Sequence, residues 1–163
     1  MKFEGDMEFT QDITTLWPKL SDLTYLAYCI PDSKDFKDVS ETTAACKVKP
    51  SFSFASATLN VSIERVQAEV EKLLEYRMGG KGVGISNEIL STLMFESSDS
   101  GGTRVHWTAE ITKLGGLLKA VPKGLIEGAA KSVIGQIWDQ VAEKIRTDLG
   151  GESDPTETST QPE

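Results

Sequence analysis

Apolar and polar side chains alternate along most of the chain, beginning with residues 2–10. There Phe3, Met7 and Phe9 share one face, and charged side chains occupy the other. A period of two with one apolar face is typical of a half-buried β-strand. The same alternation predicts further strands over residues 34–40, 42–49, 52–66, 74–78, 83–96 and 103–112. Together these segments predict an antiparallel sheet of about seven strands.

Two regions depart from that period. Residues 11–31 predict two short helices, the first opened by an Asp12 cap and the second ended by Pro31. Over residues 114–149 apolar side chains recur every three or four positions, which predicts an amphipathic helix about 45 Å long. Pro122 is expected to kink that helix or to break it within its first turns.

These elements predict an α+β architecture in which a strongly curved sheet wraps around the long C-terminal helix, while the two short helices close the far end. A sheet and a helix that meet in this way tend to leave a gap, so the sequence predicts a cavity between them. Alternation alone leaves open whether that space is empty. The side chains expected to line it are Leu26, Ile30, Leu59, Val61, Ile63, Leu74, Tyr76, Met78, Ile85, Ile89, Leu93, Val105, Trp107, Leu118, Val121, Leu125 and Ala129.

Tyr76 and Trp107 stand out in this set because each combines an apolar ring with one polar group. Such side chains suit a ligand that is mainly apolar and is oriented by a few hydrogen bonds. The alternative is that both rings simply fill the core, and the sequence does not decide between the two.

Composition and charge limit the possible functions. The chain has 163 residues, of which 39 % are hydrophobic, and this fits one domain, expected over residues 1–149. Residues 150–163 are acidic and polar and lack a large apolar side chain, so we expect a disordered tail there. The net charge is −8, and no basic cluster in the sequence indicates binding to nucleic acid or, through charge, to anionic lipid.

Targeting signals are not apparent. The sequence has no run of about 18 apolar residues for a transmembrane helix, and its first residues do not resemble a signal peptide. We therefore expect a cytoplasmic protein, and the sequence leaves open whether it touches a membrane peripherally.

Residue types that carry catalysis or bind metals are few. His106 is the only histidine and alternates with apolar neighbours, so it is expected on the outer face of the sheet. Cys29 and Cys46 lack a CxxC spacing and are expected to be buried, reduced thiols. The glycine-rich residues 79–84 lack the order of a phosphate-binding loop and are expected to bend a strand. The sequence predicts no catalytic residue, no metal site and no cofactor.

Several short motifs occur in a fixed order between residue 2 and about residue 148. They are KFEG at 2–5, Trp17, LSD at 20–22, LA at 26–27, CIP at 29–31, GKG at 80–82, GTxVxWxAE at 102–110, GGLL at 115–118 and LI through AK over 125–131. In this order they resemble the CoxG family, the G subunits of carbon monoxide dehydrogenase, within the START-like, helix-grip (SRPBCC, polyketide cyclase) superfamily.

The resemblance implies a helix-grip fold with a hydrophobic cavity between sheet and helix. It also implies an accessory protein of a molybdenum hydroxylase such as carbon monoxide dehydrogenase. Such a protein would bind a lipid-like or quinone-like molecule or help to place the enzyme at the membrane, without a metal or redox centre of its own. Three positions depart from the family pattern: Asp32 stands where glycine is common, Lys49-Pro50 replaces Gly-Pro, and the tail is polar.

Three functions are compatible with these observations. The preferred hypothesis is a non-enzymatic protein that encloses a hydrophobic small molecule, either a lipid or a quinone. A cofactor-free, cyclase-like enzyme would need ionisable groups that converge in the cavity, for which the sequence offers little besides Tyr76. A protein-interaction module would have a filled cavity and an exposed apolar patch at its opening.

Overall fold

The computed structural model describes residues 1–54, 57–151 and 153–161. The helices and strands in chain order are β1 (Lys2–Phe9), α1 (Ile13–Leu20), α2 (Leu23–Ala27), β2 (Ser33–Lys37), β3 (Thr43–Val48), β4 (Leu59–Glu69), β5 (Leu73–Gly82), β6 (Ile85–Ser97), β7 (Thr103–Gly116), a 3₁₀ turn (Leu117–Ala120), α3 (Lys123–Leu149) and β8 (Ser153–Gln161).

The described strands form one antiparallel sheet in the order β2-β3-β4-β5-β6-β7-β1-β8. β-Bulges interrupt the register of β4 between Arg65 and Gln67 and that of β6 between Glu88 and Ile89. Bulges of this kind bend a strand and increase its twist, which lets the sheet curl around α3. Strands β1 to β7, the two short helices and α3 confirm the predicted helix-grip architecture.

The first strand, β1, pairs with a strand that is far from it in the sequence. In β1, Lys2 lies opposite Glu110 and Phe9 lies opposite Thr103 of β7, so the pairing joins segments roughly a hundred residues apart. The apolar face of β1, which alternation predicted, is buried in the core. β1 is therefore held both by backbone hydrogen bonds and by the core beneath it.

The short helices hold one end of the sheet against the end of α3. The Asp12 carboxylate accepts a hydrogen bond from the Thr15 amide at 2.8 Å, which confirms the predicted cap of α1. In α2 the Tyr25 hydroxyl donates to the Asp148 carboxylate at 2.8 Å, and the Lys144 ammonium lies 4.6 Å from the centre of the Tyr25 ring. These contacts fix α2 as one wall of the space between sheet and helix.

The long helix begins later than the sequence predicted. Apolar periodicity placed its start at Leu114, but β7 continues to Gly116, and α3 begins only after Pro122. Gly116 has φ +63° and ψ −135°, a conformation that allows the Leu117 amide to donate to the Gly84 carbonyl at 2.9 Å. Gly115, Gly116 and Pro122 thus separate β7 from α3. The helical spacing of apolar side chains nevertheless continues through the end of the strand and into the helix.

Other predicted strands occur with shifted ends. β4 begins at Leu59 rather than at residue 52, and it continues to Glu69, beyond the predicted end at residue 66. Residues 55 and 56 of the predicted strand lie outside the described residues. The polar side chains of Gln67 and Glu69 lie at exposed positions of a long hairpin, where a strand tolerates them as well as a turn does.

The C-terminal segment differs from the disordered tail that its composition predicted. Ser153–Gln161 forms β8, which pairs antiparallel with the edge of β1 from Phe9↔Ser153 to Lys2↔Gln161. Pairing at a sheet edge is made by backbone groups and needs no apolar side chain, so hydropathy could not indicate it. Residues 152, 162 and 163 lie outside the described part of the chain.

One departure from the family pattern has a direct backbone counterpart. Asp32 adopts φ +60°, in the left-handed region that glycine enters without a steric penalty. The turn after α2 therefore demands the conformation that a glycine would supply, and Asp tolerates it better than most residues do.

Candidate ligand cavity

A cavity of about 130 Å³ lies between the sheet and α3, with α2 as its third wall, and it is partly open to solvent. Its lining residues come from α2 and the turn after it, from the four central strands β4 to β7 and from the middle of α3. They are Leu23, Leu26, Ala27, Ile30, Ile63, Tyr76, Met78, Ser91, Leu93, Trp107, Ala109, Ile134, Ile137, Trp138 and Val141.

The strand register brings the sheet side of the lining together. Leu93 of β6 lies opposite Trp107 of β7, and Ser91 lies opposite Ala109, so these four side chains stand as two neighbouring cross-strand pairs. Tyr76 of β5 lies opposite Ser91 and extends the same row toward β4. Alternation along each strand points all five side chains to the concave face.

The helix side of the lining follows from the helical period. Ile134, Ile137, Trp138 and Val141 are spaced i, i+3, i+4 and i+7, and this spacing places them on one face of α3. The ring centres of Trp138 and Trp107 are 6.2 Å apart. This aromatic contact joins helix to sheet and closes the cavity at that point.

The two hydroxyl groups of the lining are already hydrogen-bonded within the protein. The Tyr76 hydroxyl donates to the Leu20 carbonyl at 2.8 Å, and the Ser91 hydroxyl donates to the Thr108 carbonyl at 3.2 Å. Burial raises the pKa of the Tyr76 phenol, so this group stays neutral. The lining includes no Asp, Glu, Lys, Arg or His. The cavity therefore favours an uncharged, apolar occupant.

The cavity volume limits what can enter without rearrangement. An apolar cavity of about 150 Å³ is large enough to bind benzene, whereas pockets for drug-sized ligands usually exceed about 300 Å³. The present volume of about 130 Å³ thus holds one ring or a short hydrocarbon segment. A longer molecule would have to extend through the open side.

Seven of the predicted lining residues lie in the cavity wall. They are Leu26, Ile30, Ile63, Tyr76, Met78, Leu93 and Trp107. The structure places the other ten elsewhere. Val61, Leu74, Ile85 and Val105 are packed in the core beyond the cavity, and Leu59 and Ile89 pack partly buried against that core.

The four remaining predictions fall on the segment where the start of α3 is shifted. Leu118 and Val121 line a separate depression near the beginning of α3, described below. Leu125 is 51 % exposed, because Ile126 takes the inward position of that turn, and Ala129 is half-buried outside the wall. The sequence analysis missed the lining residues of α3. Their apolar side chains are spaced i, i+3, i+4 and i+7 over positions 134 to 141, and this spacing could have indicated them.

The second depression has a different character. It has a volume of about 410 Å³ and lies where β7 ends and α3 begins. Apolar side chains contribute part of its surface, and three lysines, Lys113, Lys119 and Lys123, contribute much of the remainder.

Chemically reactive side chains do not converge on the cavity. His106 lies on β7 with its Nδ1 atom 2.9 Å from Asp6 of β1, at a surface position. Cys29 and Cys46 are free and buried, and burial raises the pKa of both thiols. Within the described residues, no group of three or more His, Cys, Asp or Glu side chains is placed to hold a metal ion.

Solved structures with the same fold cover nearly the whole chain. A conserved protein from Geobacillus kaustophilus aligns with a TM-score of 0.79 at 16 % identity, over 94 % of this chain and 99 % of that one. A Thermus thermophilus protein aligns with a TM-score of 0.64 at 12 % identity, over 91 % and 99 %. An HSP90 activator from Plasmodium falciparum aligns with a TM-score of 0.55 at 16 % identity, over 94 % and 99 %. Identities this low show the fold alone.

Sequence comparison is more specific. No curated protein sequence matches significantly. In the described ranges, no helix is both long enough and apolar enough to cross a membrane. The model of one protein family, the G subunit of carbon monoxide dehydrogenase (CoxG), matches residues 5–146, which run from the middle of β1 through most of α3. The chain therefore belongs to the CoxG family of carbon monoxide dehydrogenase G subunits.

Proposed function

We propose that this protein is a non-catalytic accessory protein that binds a hydrophobic small molecule, lipid-like or quinone-like, in the cavity between sheet and α3. The observation that carries the proposal is the lining itself, which offers apolar side chains and two hydroxyls that already donate to backbone carbonyls. Membership of the CoxG family supports an accessory role beside a molybdenum hydroxylase of the carbon monoxide dehydrogenase type.

Binding would be driven by burial of apolar surface. A ring that loses about 150 Å² of accessible surface gains about 4 kcal/mol at ~25 cal/mol per Å². Part of this gain is offset by the lost freedom of the ligand, so an isolated ring is expected to bind weakly. A long tail that continues through the open side of the cavity would add further buried area. An amphiphile with one ring or chain end inside fits this requirement.

We also propose that the protein does not catalyse a reaction in this cavity. A general acid or base in such a cavity would need a titratable group near the substrate with a pKa suited to the reaction. Tyr76 is the one titratable side chain of the lining, and its proton is engaged by the Leu20 carbonyl. This arrangement supports binding without chemistry.

Replacing Ala109 with leucine tests the proposal. The larger isobutyl side chain would project from β7 into the cavity, and we expect the affinity for a short-chain ubiquinone or decanoic acid to fall at least about tenfold, or 1.4 kcal/mol. Ala68→Leu is the matched control, because Ala68 is an exposed residue of β4. Uptake would be measured by equilibrium dialysis, together with mass spectrometry of an organic extract of the purified protein. A clean extract with no uptake of either probe would contradict the proposal, as would undiminished uptake by Ala109→Leu.

Tryptophan fluorescence offers a second, local test. Trp107 and Trp138 line the cavity, whereas Trp17 packs edge-on against Phe95, with ring centres 5.1 Å apart, outside the lining. A bound quinone should therefore quench a Trp17→Phe variant about as strongly as the wild type. In a variant with both Trp107→Phe and Trp138→Phe we expect most of the saturable quenching to disappear. Equal quenching in all three proteins would mean that the quinone binds elsewhere.

A further inference from the structure

The cavity of about 130 Å³ is smaller than a ligand with a long tail, so enclosing such a ligand requires one of its three walls to move. The sheet wall is formed by β4 to β7, and each of these strands is paired with a neighbour on both sides. The second wall, α3, is a helix of 27 residues. The third wall, α2, has five residues and belongs to no sheet. Of the three, α2 is therefore the wall that can move without disrupting a sheet or a long helix.

The first turn of α2 is held to the loop between β2 and β3. The Leu23 amide donates to the Glu41 carbonyl at 3.1 Å, and the Thr24 hydroxyl donates to the Ser40 carbonyl at 3.0 Å. Both contacts are made by the first two residues of the helix. The other end of α2 can therefore move while its beginning stays in place.

Toward α3, the polar contacts of α2 centre on one tyrosine. The Tyr25 hydroxyl donates to the Asp148 carboxylate at 2.8 Å, and the Lys144 ammonium lies 4.6 Å from the ring centre of Tyr25 and 5.5 Å from that of Tyr28. We call Tyr25, Lys144 and Asp148 the latch. Asp148 is exposed, so water can solvate its carboxylate when the hydroxyl leaves. Opening the latch therefore costs less than breaking a fully buried hydrogen bond.

The segment that follows α2 has a strained and irregular backbone. In the described residues, four non-glycine residues have a positive φ, and three of them fall in residues 32–38: Asp32 at +60°, Asp35 at +54° and Asp38 at +52°. Each carries a backbone penalty, although Asp tolerates this region better than most residues do. Strand β2 lies within the segment, at an edge of the sheet, and its register shifts between Lys34 and Lys37. A displaced α2 would let this backbone relax, so the segment opposes the movement little.

We propose that α2 is a movable wall of the cavity: when the latch opens, the end of α2 moves away from α3, and the cavity enlarges to take a ligand longer than one ring. The sheet and α3 keep their structure in this movement. A ligand that needs the larger space would select the open state from a population that is mostly closed. The use of the larger cavity rests on the proposed function, whereas the movement itself does not.

Labelling of Cys29 would measure the movement without any ligand. Cys29 lies in the turn directly after α2, is 2 % exposed and donates from its thiol to the Tyr25 carbonyl at 3.5 Å. Because N-ethylmaleimide reacts with an exposed thiol, its rate reports how often this turn opens. A Cys46→Ala background leaves Cys29 as the single thiol. Low concentrations of urea hardly change the rate of a local opening, whereas global unfolding depends steeply on urea.

Tyr25→Phe removes the hydrogen bond of the latch but keeps the ring that Lys144 contacts. We expect it to raise the labelling rate of Cys29 at least about tenfold. Asp148→Ala should have a similar effect, and the double variant should add little to either, because the two side chains form one bond. Tyr28→Phe is the matched control, since it removes the hydroxyl of a tyrosine that is 53 % exposed at the same end of α2, and it should leave the rate unchanged.

Two outcomes of the labelling experiment would overturn the movable wall. One is an equal labelling rate in Tyr25→Phe and Tyr28→Phe, which would mean that the latch does not hold α2. The other is a wild-type rate that depends on urea as steeply as global unfolding does, because Cys29 would then be exposed only when the whole domain unfolds.

Two ligands test the enlarged cavity. Toluene is a single ring, whereas decylubiquinone carries a long tail. In Tyr25→Phe we expect the affinity for decylubiquinone to rise by about the same factor as the labelling rate of Cys29, with the affinity for toluene unchanged. Unchanged affinity for decylubiquinone would overturn the enlargement. If decylubiquinone did not bind to either protein, the proposed function would fail, and the labelling rates would still support or overturn the movement of α2.

Discussion

Replacing Gly116 with alanine is expected to lower the free energy of unfolding by about 3 kcal/mol or more. Gly116 has φ +63° and ψ −135°, which a residue with a side chain rarely adopts, and an added Cβ atom would collide with the Gly84 carbonyl oxygen. Both partners of this collision are held in place, because Gly116 pairs with Ile85, the residue after Gly84, and the Leu117 amide donates to the Gly84 carbonyl. The contact between the two turns would have to open. Urea denaturation monitored by circular dichroism would measure the loss.

Gly101→Ala separates the two causes of that loss. Gly101 also has a positive φ, +87°, but an added Cβ atom would meet nothing within 4 Å. Only the backbone penalty applies there, and we expect a loss of about 1–2 kcal/mol. If the two variants lost the same free energy, the collision at Gly84 would contribute nothing and the close approach of the two turns would be misplaced.

Alkaline pH is expected to destabilise the protein steeply. Burial raises the pKa of the Tyr76 and Tyr25 phenols above their ordinary 10.0 and the pKa of the Cys29 and Cys46 thiols above 9.0. Above those ordinary values the unfolded chain releases protons that the folded protein retains, so stability falls as pH rises. For the deeply buried Tyr76 the slope is about 1.4 kcal/mol per pH unit until its folded-state pKa is reached. Urea denaturation between pH 8 and about pH 11 would measure this decline.

The Tyr76→Phe variant is the control for the alkaline prediction. Near neutral pH it should be less stable by about 1–3 kcal/mol, because the Leu20 carbonyl loses its buried donor. Above pH 10.0, however, its stability should fall less steeply than that of the wild type, since one proton no longer contributes. Parallel slopes for the two proteins would contradict the assignment of the decline to Tyr76.

Side-chain periodicity predicted much of the fold because it is a local property. Strand alternation set the inward face correctly for Ile63, Tyr76 and Trp107, which the structure brings to one cavity. Capping chemistry at Asp12 is equally local and located the start of α1. The resemblance to the CoxG family implied the same helix-grip fold.

The remainder depends on contacts between distant segments. The phase of α3 follows from the break at Gly116 and Pro122, and this break moved the helical wall of the cavity from the predicted Leu125 to Ile134 and Trp138. The lysines of the second depression were hidden for a similar reason. They are scattered through an acidic chain and come together only where β7 ends and α3 begins.

The position of β1 has a consequence for how the chain folds during synthesis. Both neighbours of β1 lie roughly a hundred residues or more further along the sequence, so this strand leaves the ribosome long before either partner exists. Its alternating apolar side chains stay exposed in the incomplete chain, where they can associate with the wrong segments. Closure of a loop of roughly a hundred residues then becomes the slow event, which makes the earliest strand in synthesis the last to be secured.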